Sequence, residues 1–124
     1  MQPVSVVIAQ PDLGTASQLA ATMRKRFRSV SVTQRRENVR AEIIQSRAAL
    51  AVVDLELIPL SEVEMLCREL NNVRVVCTHR LADEALWTAV LGVGAEDCFA
   101  ANDVAGIVSA AERSMISRAR ARAA

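Results

Sequence analysis

Aromatic residues are nearly absent from this chain, which has one Trp, two Phe and no Tyr in 124 residues. Any core must therefore be filled by Val, Ile, Leu and Ala; the apolar fraction is 52%, swollen by alanine. Long apolar runs are missing too. No stretch approaches the roughly 20 apolar residues that cross a bilayer, so no membrane association is expected. The opening MQPVSVVIAQPDLG has no basic flank and no long apolar region. It reads as the first strand of a cytoplasmic domain rather than a secretory signal. A dominant charge is also lacking. The net charge of +1 gives no overall pull toward nucleic acid or an anionic membrane. The only lysine is Lys25 and the only histidine is His79. Three widely spaced cysteines, Cys67, Cys77 and Cys98, form no Cys-x-x-Cys pair. A zinc site needs about four such ligands, so the cysteines are expected to be reduced, buried and structural.

What is present is a rhythm of short apolar runs and longer amphipathic stretches. Val4 to Ala9 reads as a β-branched strand ended by Gln10-Pro11-Asp12. Leu13, Ala16, Leu19, Ala20, Met23 and Phe27 follow at helical spacing. Asp12 is placed to cap that helix, and Arg24, Lys25 and Arg26 suit its C-terminus. Ser29 to Thr33 predicts a second strand, and Glu37 to Ser46 a helix with Val39, Ile43 and Ile44 on one face. Ala49 to Leu57 is the strongest strand. Its apolar run is nearly continuous up to Asp54, the mark of a central strand covered on both faces. Ser61 and Glu64 predict a capping box for a third helix bearing Val63, Leu66 and Leu70. Val73 to Thr78, a helix from Ala82 to Leu91 with Trp87, and a strand from Asp97 to Ala100 come next. Asn102 or Asp103 caps a last helix bearing Val104, Ile107, Ala110, Ala111 and Met115. Five β/α units in strict alternation predict a parallel α/β sheet with helices on both faces. The expected organisation is one domain over residues 1–118, with 119–124 a basic tail or linker stub.

In open parallel sheets, ligands bind beyond the carboxyl ends of the strands. The first strand delivers Gln10, Pro11 and Asp12 there, the third Asp54 and Glu56, the fourth Thr78 and His79, the fifth Ala101 and Asn102. Carboxylates and a hydroxyl at one edge are the groups that hold Mg²⁺ and a phosphoryl group, and an Asp carboxylate can attack phosphorus.

With VVDLEL around Asp54, VRVVCT ending in Thr78, and LGVGAEDCF before the last helix, the chain resembles the response-regulator receiver domain over almost its whole length. The resemblance implies a doubly wound, flavodoxin/CheY-like five-stranded sheet in the order 2-1-3-4-5. It implies that Asp54 is the phosphoacceptor of a histidine kinase and Thr78 the switch hydroxyl. It makes Asp54 and the backbone carbonyl of Glu56 candidate Mg²⁺ ligands; Asp12, one place beyond the position of the receiver acid pair, is a further candidate if its loop lets it swing in. Gly94-Ala95 matches the turn into the fifth strand. Two departures stand out. Where receivers carry an acid pair after the first strand, this chain has Gln10 and Pro11, and where they carry Lys after the fifth, it has Ala101. Cys98, with Phe99 beside it, stands in the place of the usual fifth-strand aromatic.

Phosphoryl transfer depends on positioning and charge neutralisation, so these losses predict weak or absent phosphorylation and doubtful Mg²⁺ binding. The expected function is an atypical, degenerate receiver of two-component signalling, not an enzyme. It would act through a protein partner (histidine kinase or output domain) or as a homodimer through the fourth helix, fifth strand and fifth helix. The alternatives are an Mg²⁺-dependent phosphoacceptor in which Asp12 replaces the acid pair, and a receiver-like N-terminal scaffold domain of a pilus-assembly or polar-localisation ATPase. His79 is expected to be a solvated loop residue, Trp87 either core or partner surface. Arg118, Arg120 and Arg122 read as a solvated tail rather than a nucleic-acid site, since aromatic interleaving and a binding fold are absent.

Overall fold

The structure, a computed structural model, describes residues 1–123. Strand β1 (Gln2–Ala9) leads to helix α1 (Leu13–Met23) and strand β2 (Phe27–Thr33). A single 3₁₀ turn (Arg36–Asn38) precedes α2 (Val39–Ser46), then β3 (Leu50–Asp54) and α3 (Leu60–Glu69) follow. The chain continues through β4 (Arg74–His79), α4 (Glu84–Gly92), β5 (Asp97–Ala100) and α5 (Val104–Ala123). All strand pairs are parallel, and the order is β2-β1-β3-β4-β5, as expected.

All five residues of β3 are buried, which its unbroken apolarity predicts. Alternate side chains serve two cores. Leu50 and Val52 join Ile8, Leu19, Met23, Ile107 and Met115 beneath α1 and α5. Ala51 and Val53 join Val39, Ile43, Val63, Leu66 and Val90 beneath α2, α3 and α4. Cys77 and Cys98 are buried in the second core, Cys67 is half-buried at its margin, and all three are free thiols.

Several local expectations are corrected. Helix α1 stops at Met23, and Phe27 opens β2 instead of closing the helix. Met23 and Phe27 still share a core, so helical spacing misread two elements as one. Arg24, Lys25 and Arg26 form the tight turn between them, in which the Arg26 N–H donates to the Met23 carbonyl. Ile44 is 54% exposed, because the short α2 turns only Val39 and Ile43 inward. Strand β3 ends at Asp54, whose carbonyl accepts from the N–H groups of Leu57 and Ile58 to make a turn. The Ser61–Glu64 capping box does not form. Helix α3 starts earlier, at Leu60, with Pro59 as its N-cap and no side-chain cap bond. The proline carbonyl instead accepts from Glu62 and Val63. His79 closes β4 and is half-buried, not a solvated loop residue.

Other local expectations hold. Asp12 caps α1 by accepting from the Thr15 N–H at 2.9 Å, and Asp103 accepts from the Gly106 N–H at 3.0 Å in the first turn of α5. Gly94 has φ +102, and a Cβ there would stand 3.2 Å from Cys67 Cβ, so this turn requires glycine for both conformation and space. The division expected at residue 118 falls inside α5, which runs unbroken to Ala123; Ala124, the last residue of the expected tail, lies outside the described residues.

Candidate functional site

Sheet register builds the site. Ala9 of β1 pairs with Val53 and Asp54 pairs with Thr78, so the residues that follow β1 meet the end of β3 beside β4. Asp54 is 3% exposed. Its Oδ2 accepts from Thr78 Oγ1 at 2.8 Å and from Gln10 Nε2 at 3.2 Å. Its Oδ1 accepts from the Glu56 N–H at 2.9 Å. Gln10 and Thr78 are themselves buried. A buried carboxylate is tolerated only when its lone pairs are satisfied. Here three neutral donors do that work, and none of the ion pairs among the described residues includes Asp54.

The structure brings Asp54, Thr78 and Glu56 together but not Asp12. The Asp12 N–H donates to Gln10 Oε1 at 3.0 Å, while its carboxylate turns to the Thr15 N–H and, at 2.6 Å, to the Thr15 hydroxyl. Those two bonds hold the Asp12 pKa below its ordinary value. The Glu56 carboxylate meets Arg80 Nε at 2.6 Å and lies 3.8 Å from His79 Nε2. His79 Nδ1 accepts from the Leu81 N–H at 3.0 Å, which leaves the neutral ring's proton on Nε2, facing Glu56.

The residues present do not fit Mg²⁺. That ion is held by one or two carboxylates with water and phosphate oxygens. Here the Gln10 amide aims an N–H donor at Asp54 Oδ2, and its oxygen is taken by the Asp12 backbone. The Asp12 carboxylate is engaged by Thr15 and the Glu56 carboxylate by Arg80, so of the expected ligands only the Asp54 carboxylate and the Glu56 backbone carbonyl remain.

Sequence reasoning treated Gln10 only as the replacement of an acid and missed it as a partner of Asp54. The signal was available in part: parallel neighbours whose carboxyl ends are level, as Ala9 and Val53 are, place the residue after β1 beside Asp54. The Glu56–Arg80 pair carried no such signal, because Arg80 lies beyond the strand, where register no longer fixes position.

Trp87 is neither simply core nor free surface. It is 44% exposed on α4, and its indole N–H donates to Asp97 Oδ1 at 2.9 Å, tying the ring to the start of β5. Leu91, one turn on, is also exposed. No helix among the described residues is long and apolar enough to cross a membrane.

No family model matches the sequence, and no curated protein is significantly similar to it. Solved structures do match. The receiver domain of Francisella response regulator 1452 superposes with a TM-score of 0.79 at 15% identity, covering 95% of this chain and 98% of that one. The BeF₃-activated N-terminal receiver domain of Klebsiella pneumoniae RstA gives 0.72 at 22% identity, covering 90% and 97%. NtrX from Brucella abortus, in complex with ADP, gives 0.86 at 13% identity over 98% of this chain and 28% of that longer one. At these identities the likeness establishes the fold, which is the CheY-like fold of response-regulator receiver domains.

Proposed function

We propose that this chain, built on the receiver fold, is an atypical receiver of two-component signalling that acts through protein–protein contacts, with phosphorylation at Asp54 weak or absent. The observation that carries this reading is the Gln10–Asp54 hydrogen bond. A neutral amide stands against the carboxylate where the resemblance leads one to expect acids and a metal. No lysine replaces the missing cation, since the residue at that place is Ala101. Transfer of a phosphoryl group to Asp54 would add negative charge to a buried site supplied only with neutral donors. Thr78 donates to Asp54 with no phosphate present, which supports a hydroxyl already turned inward if Thr78 serves as the switch that the resemblance implies.

The partner is a histidine kinase, an output domain or a second copy of the chain, met on the surface of α4, β5 and α5. Exposed Trp87 and Leu91 support that face, because Trp is enriched at interface hot spots. The reading places the protein in the cytoplasm, where three free thiols persist, and assigns it no catalysis beyond its own modification.

The test is incubation with a small phosphodonor and Mg²⁺ followed by intact mass. The expected result is little or no phosphoryl adduct on the wild type. A stoichiometric adduct that disappears in Asp54→Asn would replace this reading with that of an Mg²⁺-dependent phosphoacceptor. Sedimentation at several concentrations reads the second half of the proposal: self-association weakened by Trp87→Ala supports the α4–β5–α5 face, and a strict monomer removes the homodimer from it.

A further inference from the structure

A cavity of about 600 Å³ opens at the opposite end of the sheet from Asp54. Three elements wall it: the C-terminal end of α2 with Arg47, the turn into β4 with Asn71, Asn72 and Arg74, and the last turns of α5 with Arg118 and Arg122. Ile44, Leu70 and Val73 supply apolar wall, which accounts for the exposure of Ile44 on the outer side of α2.

The charge of this cavity is unbalanced. Its only acid is Glu69, which is paired with Arg40 at 3.2 Å. Arg74 is paired with Glu96 at 3.0 Å. Arg47, Arg118 and Arg122 enter none of the ion pairs among the described residues. Arg118 is pushed below its ordinary pKa by burial and then by the charges of Arg122 and Arg74, so like charges are held together here. Arg47 adopts the left-handed conformation, φ 53 and ψ 44, and is the only non-glycine with positive φ among the described residues. That conformation is unfavourable for a residue with a side chain.

We propose that this cavity binds a small phosphorylated ligand with at least two anionic groups, held by Arg47, Arg118 and Arg122. Guanidinium forks match phosphate oxygens in pairs, and the Asn71 and Asn72 amides add neutral donors at the wall. The volume falls within the roughly 300–1,000 Å³ of small-molecule sites. Nucleic acid is the less suited occupant. The lining holds no aromatic side chain on which bases would stack, and the chain as a whole carries a charge of only +1. The site is separate from Asp54 and does not rest on the receiver reading.

Titration calorimetry with inorganic pyrophosphate and with ADP, each without added metal, tests this. One ligand per chain is expected, with a matching rise in Tm. ADP binding more tightly than pyrophosphate would show the apolar wall in use, and pyrophosphate alone would show that phosphoryl groups suffice; both support the site. The double variant Arg118→Ala, Arg122→Ala should weaken binding by about tenfold or more through lost charge-assisted bonds. Alanine suits the helix, so the unliganded Tm should hold or rise as repulsion is relieved. Asp54→Asn should bind as wild type. Failure of both probes to bind, unchanged binding by the double variant, or tighter binding to a DNA duplex or to phosphatidylserine vesicles would overturn the proposal.

Discussion

Thr78 and Asp54 face each other across neighbouring strands, and the threonine hydroxyl donates to the carboxylate at 2.8 Å. Both residues are buried, so the bond is shielded from water. Hydrogen bonds to charged groups contribute more than neutral ones, and a buried acceptor that loses its donor is costly. Thr78→Val keeps the shape and removes only the hydroxyl. It should lower stability by about 1.5–3 kcal/mol in urea denaturation, and Thr78→Ser should recover most of that. An unchanged midpoint for the valine variant would show that this bond carries no net stability.

Gln10 offers the complementary experiment. Gln10→Asp replaces an N–H donor with a second carboxylate beside Asp54, so like charges meet in a buried place. Without divalent ions, the loss of the bond alone should cost about 2 kcal/mol. Mg²⁺ should then raise the Tm of the variant and leave that of the wild type unchanged. A wild-type Tm that rises equally with Mg²⁺ would contradict the reading that Gln10 displaces the ion.

Cys77 gives the fold a dependence on high pH. Burial, reinforced by the neighbouring thiols and Asp54, pushes its pKa up from 9.0. In the unfolded chain the thiol ionises near its ordinary value, while in the folded chain it stays protonated. Above that value the folded state holds more protons, so stability falls as pH rises and is fully present below it. Denaturation midpoints should therefore decline as pH is raised past about 9, and Cys77→Val should flatten part of that decline. Iodoacetamide should leave Cys77 unmodified in the native state, because the thiolate is the nucleophile. Rapid native-state alkylation of Cys77 would show that the strand opens locally.

The parallel α/β class and the place of Asp54 at a strand end were legible because their signals are coarse and redundant, whereas the strand order came from the resemblance to receiver domains. Five alternating units, one doubly buried run and a carboxylate at its end leave few topologies. Boundaries were less legible where tertiary packing set them. Met23 and Phe27 were read as one helix because a helix end and a strand start can reach the same core. Ser61 and Glu64 have the spacing of a capping box, but Pro59, with its fixed φ, begins the helix first. The site was legible in position and not in bonding. Which donor Asp54 takes from Gln10, and that Arg80 pairs with Glu56, depend on side-chain directions beyond the strands. Asp12 was read as both helix cap and metal candidate, and the cap is what its hydrogen bonds show.

The neutral surroundings of Asp54 also set how the domain responds to ionic strength. Every ion pair among the described residues lies on partly or largely exposed side chains, where salt screens attraction over a Debye length of roughly 8–10 Å. Added salt therefore loosens the rim, including the Glu56–Arg80 contact. It leaves the three donors on Asp54 in place, because they are dipoles packed against a buried charge. The interior of the site is thus insulated from the electrolyte while its mouth is not.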